Sequence, residues 1–220
     1  MKRLWTSVAV ATLALGMSIG SSFAAGTLYF GISGEPTTMD PMMQTGTTFR
    51  TVKLGIHRGL LNYGVDGQLS NELAESYEIA PDAQSITFHL RDAKFHDGTT
   101  VTGNDVKASL ERIIDPESPA SFRNELSIIS AIDVVDDKTV KLTLSKPSVS
   151  MIHYLALPEA SIVPATWIEA FNADPNVAPI GAGPFKFVNW TRGQEIVTER
   201  FADYYKEGKP YLDSVHYAFY

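Results

Sequence analysis

The chain has 220 residues, and its 25 Asp and Glu outnumber its 18 Lys and Arg, so the formal net charge is −7. An acidic chain does not attract nucleic acid or an anionic membrane through bulk electrostatics, which argues against both as partners. Cysteine is absent. The chain therefore has neither disulfides nor a thiol nucleophile, and its stability must come from an apolar core.

The first 24 residues have the order of a secretory signal peptide. Lys2 and Arg3 precede an apolar segment, and Ser22 and Ala24 suit the small-residue positions of a cleavage site. A membrane-spanning helix is the alternative, but it needs roughly 20 mainly apolar residues, and this segment is shorter. Cleavage after Ala24 leaves 196 residues with a charge of −9, since Lys2 and Arg3 are removed. No cysteine remains to carry a lipid, so we expect a freely diffusing periplasmic protein.

Two elements and a loop are predicted at the start of the mature chain. Aromatic and β-branched residues predict a strand over Thr27–Ser33. The Pro-rich and Thr-rich segment Gly34–Pro41 then predicts a loop, and a polar loop at the carboxyl end of a strand is a common place for ligand contacts. An apolar stripe with helical spacing follows and predicts a helix that ends near Gly64. The stripe consists of Val52, Ile56, Leu60 and Leu61.

The middle of the chain alternates strands with a helix. Period-two alternation predicts a half-buried strand over Ser85–Arg91. Thr102 and Asp105 have the spacing of a helix cap, and Pro116 ends the predicted helix. A β-hairpin follows, with its turn at Asp136–Lys138.

The last third continues the mixture of helices and strands, so the class is α/β or α+β. The segment Ala165–Asn172 predicts a short helix, and the glycine-rich turn at residues 180–184 leads into a strand. A hairpin with Gly193 in its loop follows. Alternation over Leu212–Tyr220 is still running at the last residue. We therefore expect the sequence to be part of a longer protein.

The segment Thr87–Gly98 contains two histidines and two aspartates, and we examined it as a metal site. On a strand, His89 and Asp92 point to opposite faces. Arg91 shares the face of His89, and a fixed cation opposes metal binding there. Asp97 and Gly98 have the chemistry of a tight turn. The sequence therefore favours a strand and a turn, although a secreted metal-dependent hydrolase that uses Asp and His clusters stays open as an alternative.

No other catalytic pattern stands out in the sequence. No serine of the predicted mature chain lies in a G-x-S-x-G elbow, since the one match, Gly16–Gly20, falls inside the predicted signal peptide. Gly181 and Gly183 are followed by a predicted strand, and no lysine directly follows the second glycine as in a P-loop, which favours a tight turn over a phosphate cradle. Asp136 and Asp137 are most simply a solvated turn. We therefore predict a protein that is not an enzyme and has no cofactor or metal.

Several segments together resemble the extracellular solute-binding proteins of family 5, the dipeptide-, oligopeptide- and nickel-binding components of ABC importers. The segments occur in the family's order and cover essentially the whole mature chain. They are EPTTMDP at residues 35–41, the run from GLLNYG to LERIIDP at residues 59–116, ALPEASIVP at residues 156–164, and the run from PIGAGPF to the end at residues 179–220.

The resemblance implies an α/β, periplasmic-binding-protein-like fold (type II, cluster C) with two lobes that close around a solute. Residues 25–62 and 179–220 would belong to the first lobe, and residues 63–178 to its small subdomain, with the second lobe absent from this sequence. The implied protein is a monomer that delivers a small solute, most often a peptide, to an inner-membrane ABC permease complex. A truncated fragment without function is a further alternative.

The resemblance also implies positions that contact the ligand. Glu35 matches a contact position of an oligopeptide-binding relative. Parts of the TGTTF segment and of the GAG turn are further cleft positions by the same resemblance. The full set of predicted ligand-binding residues is Glu35, Pro36, Thr37, Thr38, Thr48, Phe49, Gly181, Ala182 and Gly183.

Overall fold

The structure is a computed structural model that describes residues 26–43 and 46–220. The predicted signal peptide and its cleavage site at Ala24 lie outside the described residues, and so do Gln44 and Thr45. Strands and helices are mixed along the described chain, which confirms the α/β class. None of the helices within these two ranges has the length and apolar character needed to cross a membrane.

The described residues form twelve strands and five α-helices. The strands are β1 Thr27–Ile32, β2 Arg58–Gly59, β3 Leu61–Tyr63, β4 Leu69–Asn71, β5 Ala74–Ile79, β6 Ser85–Leu90, β7 Ile129–Asp136, β8 Thr139–Leu144, β9 Ser161–Ile162, β10 Phe185–Thr191, β11 Glu195–Arg200 and β12 Ser214–Phe219. The helices are α1 Thr47–Ile56, α2 Gly103–Ile114, α3 Arg123–Leu126, α4 Met151–Leu155 and α5 Ala165–Ala173, and a 3-10 turn spans Pro158–Ala160.

The first sheet has four strands in the order β1-β12-β11-β10. β1 runs parallel to β12, and both β12 and β10 run antiparallel to β11. β1, β12 and β10 therefore point in the same direction, and their carboxyl ends meet at one edge of the sheet. Residues of α1 and the sheet share a core that includes Phe49, Val52, Ile196 and Tyr217.

The second sheet is antiparallel and has the order β5-β6-β8-β7. Its strand β6 alternates as predicted, with Ile86, Phe88 and Leu90 buried and the residues between them half-buried. β7 and β8 form the predicted hairpin, and α2 packs against this pair. The alternation predicted one buried face, and the helix covers that face.

Each of the two four-stranded sheets packs against its own apolar core. The larger core, beside the second sheet, also includes Met42 and Ala182, which come from outside the predicted small subdomain of residues 63–178. The loop after β1 and the GAG turn therefore help to hold this subdomain against the first sheet. The boundaries at residues 62 and 178 stay a prediction.

The helix α1 is shorter than the sequence predicts, and the expectation that it ends near Gly64 is wrong. α1 ends at Ile56, and Leu61 lies in β3, which pairs with β4. Leu60 and Leu61 are both buried, as the helix prediction required. Apolar spacing alone does not distinguish a helix from buried extended chain, and here strand pairing determines the backbone.

Two predicted glycine turns are confirmed. Gly98 has a φ of 88°, and the Asp97 carboxylate accepts a hydrogen bond from the Thr99 backbone N–H at 2.9 Å. Gly193 has a φ of 71° in the loop between β10 and β11. Helix α5 also lies where the sequence predicts it. The segment Thr87–Gly98 is thus a strand followed by a tight turn.

The predicted cap of α2 is confirmed, and it provides a stability test. The Asp105 carboxylate accepts hydrogen bonds from the Thr102 backbone N–H at 2.9 Å and from the Ala165 backbone N–H at 3.0 Å. We expect Asp105→Ala to lower the free energy of unfolding by about 2 kcal/mol, because both amides lose their acceptor. Urea unfolding measures this loss. As a control, Glu111→Gln removes an exposed contact with Lys107 at 3.8 Å and should cost less than about 0.5 kcal/mol; equal losses would contradict the assignment.

Candidate functional site

A groove of about 460 Å³ lies at the edge of the first sheet where β1 and β10 both end, between the loops that follow them. The loop after β1 forms one wall, the end of β10 forms another, and the segment after α5 forms the third. Open sheets bind ligands outside the carboxyl ends of their strands, which makes this edge the candidate site. The lining residues are Thr37, Thr38, Met39, Pro175, Asn176, Val177, Ala178, Pro179, Phe187, Asn189, Trp190 and Arg192.

Glu35 fastens the loop after β1 to the hairpin loop after β10. Its carboxylate accepts a hydrogen bond from the Gly193 backbone N–H at 3.1 Å and lies 3.6 Å from the Arg192 guanidinium. Arg192 in turn stacks on the Trp190 indole, with 3.4 Å between the guanidinium carbon and the ring centroid. The two loops at the mouth of the groove thereby hold each other in place.

The neighbours of Glu35 divide between the surface and the interior. Thr37 is exposed, Thr38 is half-buried, and both line the groove. Pro36 is buried, and the Thr38 hydroxyl accepts a hydrogen bond from the Asp40 backbone N–H at 3.1 Å. Of Pro36, Thr37 and Thr38, only the two threonines therefore line the groove.

Asp40 anchors the far end of the same loop. Its buried carboxylate forms a two-point ion pair with Arg112 of α2 and accepts a hydrogen bond from the Met42 backbone N–H at 3.0 Å. Burying a charge is costly unless it is paired and hydrogen-bonded, and both conditions are met here. The ion pair ties the groove wall to the small subdomain.

Thr48 and Phe49 lie on the first turns of α1. Thr48 is half-buried, whereas Phe49 is 2% exposed and belongs to the core beside the first sheet. The Lys53 ammonium lies 4.8 Å from the Phe49 ring centroid. Phe49 thus packs in the interior, and neither residue lines the groove.

Lys53 and Glu159 form a buried ion pair between α1 and the 3-10 turn, at 3.2 Å. Arg50 contacts the same carboxylate at 2.9 Å. Burial lowers the pKa of Lys53 to about 8, and Glu159 opposes that shift. This cluster is a structural connection between the first sheet's helix and the small subdomain.

The GAG turn at residues 181–183 packs directly on the end of α1. Gly183 N–H donates to the Ile56 carbonyl at 2.8 Å. A methyl group at Gly181 would lie 2.2 Å from the Ile56 carbonyl oxygen, and one at Gly183 would lie 2.6 Å from that of Gly55. Gly181, Ala182 and Gly183 are all buried. The glycines are therefore needed for close backbone packing, and none of the three residues lines the groove.

Two histidines lie at this junction, His57 buried and His96 half-buried. The carbonyl of Gly183 contacts His96 Nε2 at 3.0 Å, and Gly181 N–H donates to His96 Nδ1 at 3.3 Å. A carbonyl only accepts and an amide only donates, so His96 is neutral and carries its proton on Nε2. Burial lowers the pKa of His96 to about 4, and it lowers that of His57 well below 6.5.

Within the described ranges, no three His, Asp or Glu side chains gather closely enough to hold a metal ion. His89 lies on β6, and His96 is held by the GAG turn. Of the two histidines in Thr87–Gly98, His89 is therefore a strand residue and His96 has a structural role.

Trp190 and Arg192 line the groove but are not among the residues that the sequence predicts to bind ligand. Trp190 lies near the end of β10, and Arg192 begins the loop that follows it. Arg192 thus follows β10 as Glu35 follows β1. The strand β10 was predicted, but its direction relative to β1 was not. Residues that follow a strand pointing the same way as β1 gather at the same edge, so the direction of β10, which the strand pairing provides, is what identifies them.

Three known proteins show what this chain resembles. The structure of the PBP AgaA from A. tumefaciens R10, in complex with agropinic acid, is 69% identical with a TM-score of 0.87, over 89% of this chain and 40% of that one. DppA from Helicobacter pylori, in complex with the peptide STSA, is 27% identical with a TM-score of 0.80, over 89% and 43%. The glutathione-binding protein GsiB of Pectobacterium atrosepticum is 31% identical over 98% of this chain and 42% of its own length.

This chain spans less than half the length of each of these relatives. The relatives are solute-binding proteins and not enzymes, and the solved ones have the periplasmic-binding-protein-like α/β fold that the sequence predicted. A model of one protein family matches residues 68–220, more than half of the chain. The chain therefore belongs to the bacterial extracellular solute-binding proteins, family 5 Middle.

Proposed function

We propose that this chain forms one wall of the ligand cleft in a periplasmic receptor that delivers a small solute to an ABC importer. The groove at the carboxyl ends of β1 and β10 supplies that wall, with Glu35, Thr37 and Thr38 at its mouth. A second lobe that closes on the groove would complete the site. Family membership supports the transport role, and the permease partner is part of the proposal.

Agropinic acid is the first candidate for the solute. The observation that carries it is the 69% identity to AgaA, whose structure contains agropinic acid. A peptide is the second candidate, because DppA, at 27% identity, is bound to the peptide STSA. The higher identity to AgaA favours agropinic acid, since similar cleft walls present similar groups to a ligand. Thr48, Phe49 and the GAG turn contribute support behind the groove and no direct contact.

A chimeric receptor tests this proposal. Residues 26–220 would replace the matching part of AgaA, so that AgaA supplies the opposite wall of the cleft. We expect the chimera to bind agropinic acid within about tenfold of the affinity of AgaA, and the peptide STSA far more weakly. Isothermal titration calorimetry with both ligands measures this preference.

The 220-residue chain alone is the control. It should show no sub-micromolar binding, because an open groove cannot enclose most of a ligand's surface. A chimera that binds the peptide and not agropinic acid would overturn the choice of solute and leave the receptor role intact. A well-folded chimera that binds neither ligand would contradict the receptor role itself.

A further inference from the structure

Arg192 holds an unusual position among the residues that line the groove. Of the twelve described residues in that lining, Arg192 alone carries a charge. The remaining side chains are apolar or neutral, with hydroxyl or amide groups on Thr37, Thr38, Asn176 and Asn189. Glu35 lies outside this lining, 3.6 Å from Arg192, so the only charge that the lining itself presents to a ligand is the guanidinium.

The guanidinium is held in place before any ligand arrives. Its carbon lies 3.4 Å from the centre of the Trp190 ring, and Glu35 lies 3.6 Å from one of its nitrogens. Stacking on an aromatic face orients the planar group and limits its rotamers, which lowers the entropy lost when it binds. An arginine on a loop without such contacts would lose more side-chain entropy when it binds a ligand.

The guanidinium also keeps donors available for a ligand. The contact to Glu35 is longer than a direct hydrogen bond, and the Glu35 carboxylate is already engaged by the Gly193 N–H. The Arg192 side chain is 60% exposed. A ligand carboxylate in the groove can therefore bind Arg192 through two N–H groups without displacing a strong internal partner.

We propose that Arg192, stacked on Trp190, is the carboxylate anchor of this groove, and that the groove selects solutes presenting a carboxylate over solutes presenting an ammonium group. This inference rests on the proposed function, since it assumes that the groove is a ligand wall. It goes further by naming the residue and the charge of the group that it binds. An ammonium group finds no free carboxylate among the described lining residues and meets Arg192 as a like charge.

Two matched peptides test the charge preference on the full 220-residue chain. N-acetyl-trialanine presents a carboxylate and no ammonium, and trialanine amide presents an ammonium and no carboxylate. Titration is followed by two-dimensional NMR of the Trp190 indole N–H, which Trp190→Phe assigns. We expect the carboxylate peptide to shift this signal with a dissociation constant of about 1–10 mM, and the ammonium peptide to cause no saturable shift.

The second part of the test substitutes Arg192. Arg192→Gln should weaken the carboxylate peptide at least about fivefold, with the amide fingerprint of the fold retained. Lys186→Gln is the matched control, because Lys186 lies at the other end of the same strand and pairs with Glu199 at 2.9 Å; it should bind like the unmodified chain. Equal response to both peptides, no response to the carboxylate peptide, or an unchanged affinity in Arg192→Gln would each overturn the proposal.

The AgaA chimera separates this inference from the proposed function. If the chimera binds agropinic acid and Arg192→Gln binds it equally well, the receptor proposal stands and the anchor is wrong. If the anchor holds in the peptide titrations but the chimera rejects agropinic acid, the charge preference stands and the choice of solute is wrong.

Discussion

Replacing Gly181 with alanine should lower the free energy of unfolding by about 3 kcal/mol or more, and it should lower the midpoint temperature of unfolding accordingly. The added methyl group would lie 2.2 Å from the Ile56 carbonyl oxygen and 2.8 Å from His57 Nδ1. The nearest of these atoms belongs to the backbone at the end of α1, so it cannot move aside as a flexible side chain would. Thermal and urea unfolding followed by circular dichroism measure the loss.

Gly26→Ala is the matched control, because no atom lies within 4 Å of a methyl group at that position. It should change stability by less than about 0.5 kcal/mol. Gly183→Ala should behave like Gly181→Ala, since its methyl group would lie 2.6 Å from backbone atoms of Gly55 and Ile56. Normal stability for both GAG variants would contradict the packing role and reopen a ligand-binding role for this turn.

Acidification should destabilise the protein through His96 and His57. His96 is neutral in the fold, with a pKa lowered by burial to about 4, whereas in the unfolded chain its pKa is near 6.5. Between those values the unfolded chain takes up the proton and the folded one does not, so stability is complete above about pH 6.5 and falls as the pH is lowered towards 4. The loss from His96 amounts to about 3 kcal/mol.

His57 acts in the same direction, because burial, followed by the nearby His96, Lys53 and Arg58, lowers its pKa well below 6.5. Once protonated, His96 can no longer accept from Gly181 N–H, and the first sheet loses a contact with the small subdomain. Acid should therefore loosen the junction between the two sheets before it affects the core of either. Hydrogen exchange at Gly181 and Gly183 reports this order directly.

Urea unfolding between pH 7 and pH 4.5 tests the histidine contribution. His96→Gln keeps a neutral donor near the Nε2 position, so it should be less stable at pH 7 but lose about 2 kcal/mol less than the unmodified protein on acidification. His89→Gln, on β6 and away from the GAG turn, is the control and should keep the original slope. A slope unchanged by His96→Gln would show that His96 is not the source of the acid sensitivity.

The sequence predicted much of the fold because local patterns carry strong signals. Alternation in β6, the Thr102–Asp105 spacing and the glycine turns at Gly98 and Gly193 each depend on residues a few positions apart. The error at α1 arose where two structures satisfy the same pattern, since Leu60 and Leu61 are buried in extended chain as they would be in a helix. Pairing with distant strands decided between them.

The candidate site was harder to predict than the fold. Glu35, Thr37 and Thr38 were identified because a polar loop follows a strand and matches a family motif. Arg192 carries no comparable local signal, because its importance depends on β10 lying parallel to β1 across two intervening strands. Gly181 and Gly183 are also predicted cleft residues, and the structure packs both against the end of α1; a glycine needed for close packing looks the same in sequence as one that admits a ligand.

The amino-acid sequence by itself determined the acidic, cysteine-free composition, the alternation and capping that specify most strands and helices, and the motifs that place the chain in its family. The tertiary structure decided which distant residues meet. It brought Arg192 and Trp190 beside Glu35, and it placed His57 and His96 against the GAG turn. The physical reason is range: propensity and periodicity act over a few residues, whereas a binding groove or a buried charge depends on contacts between segments more than a hundred residues apart.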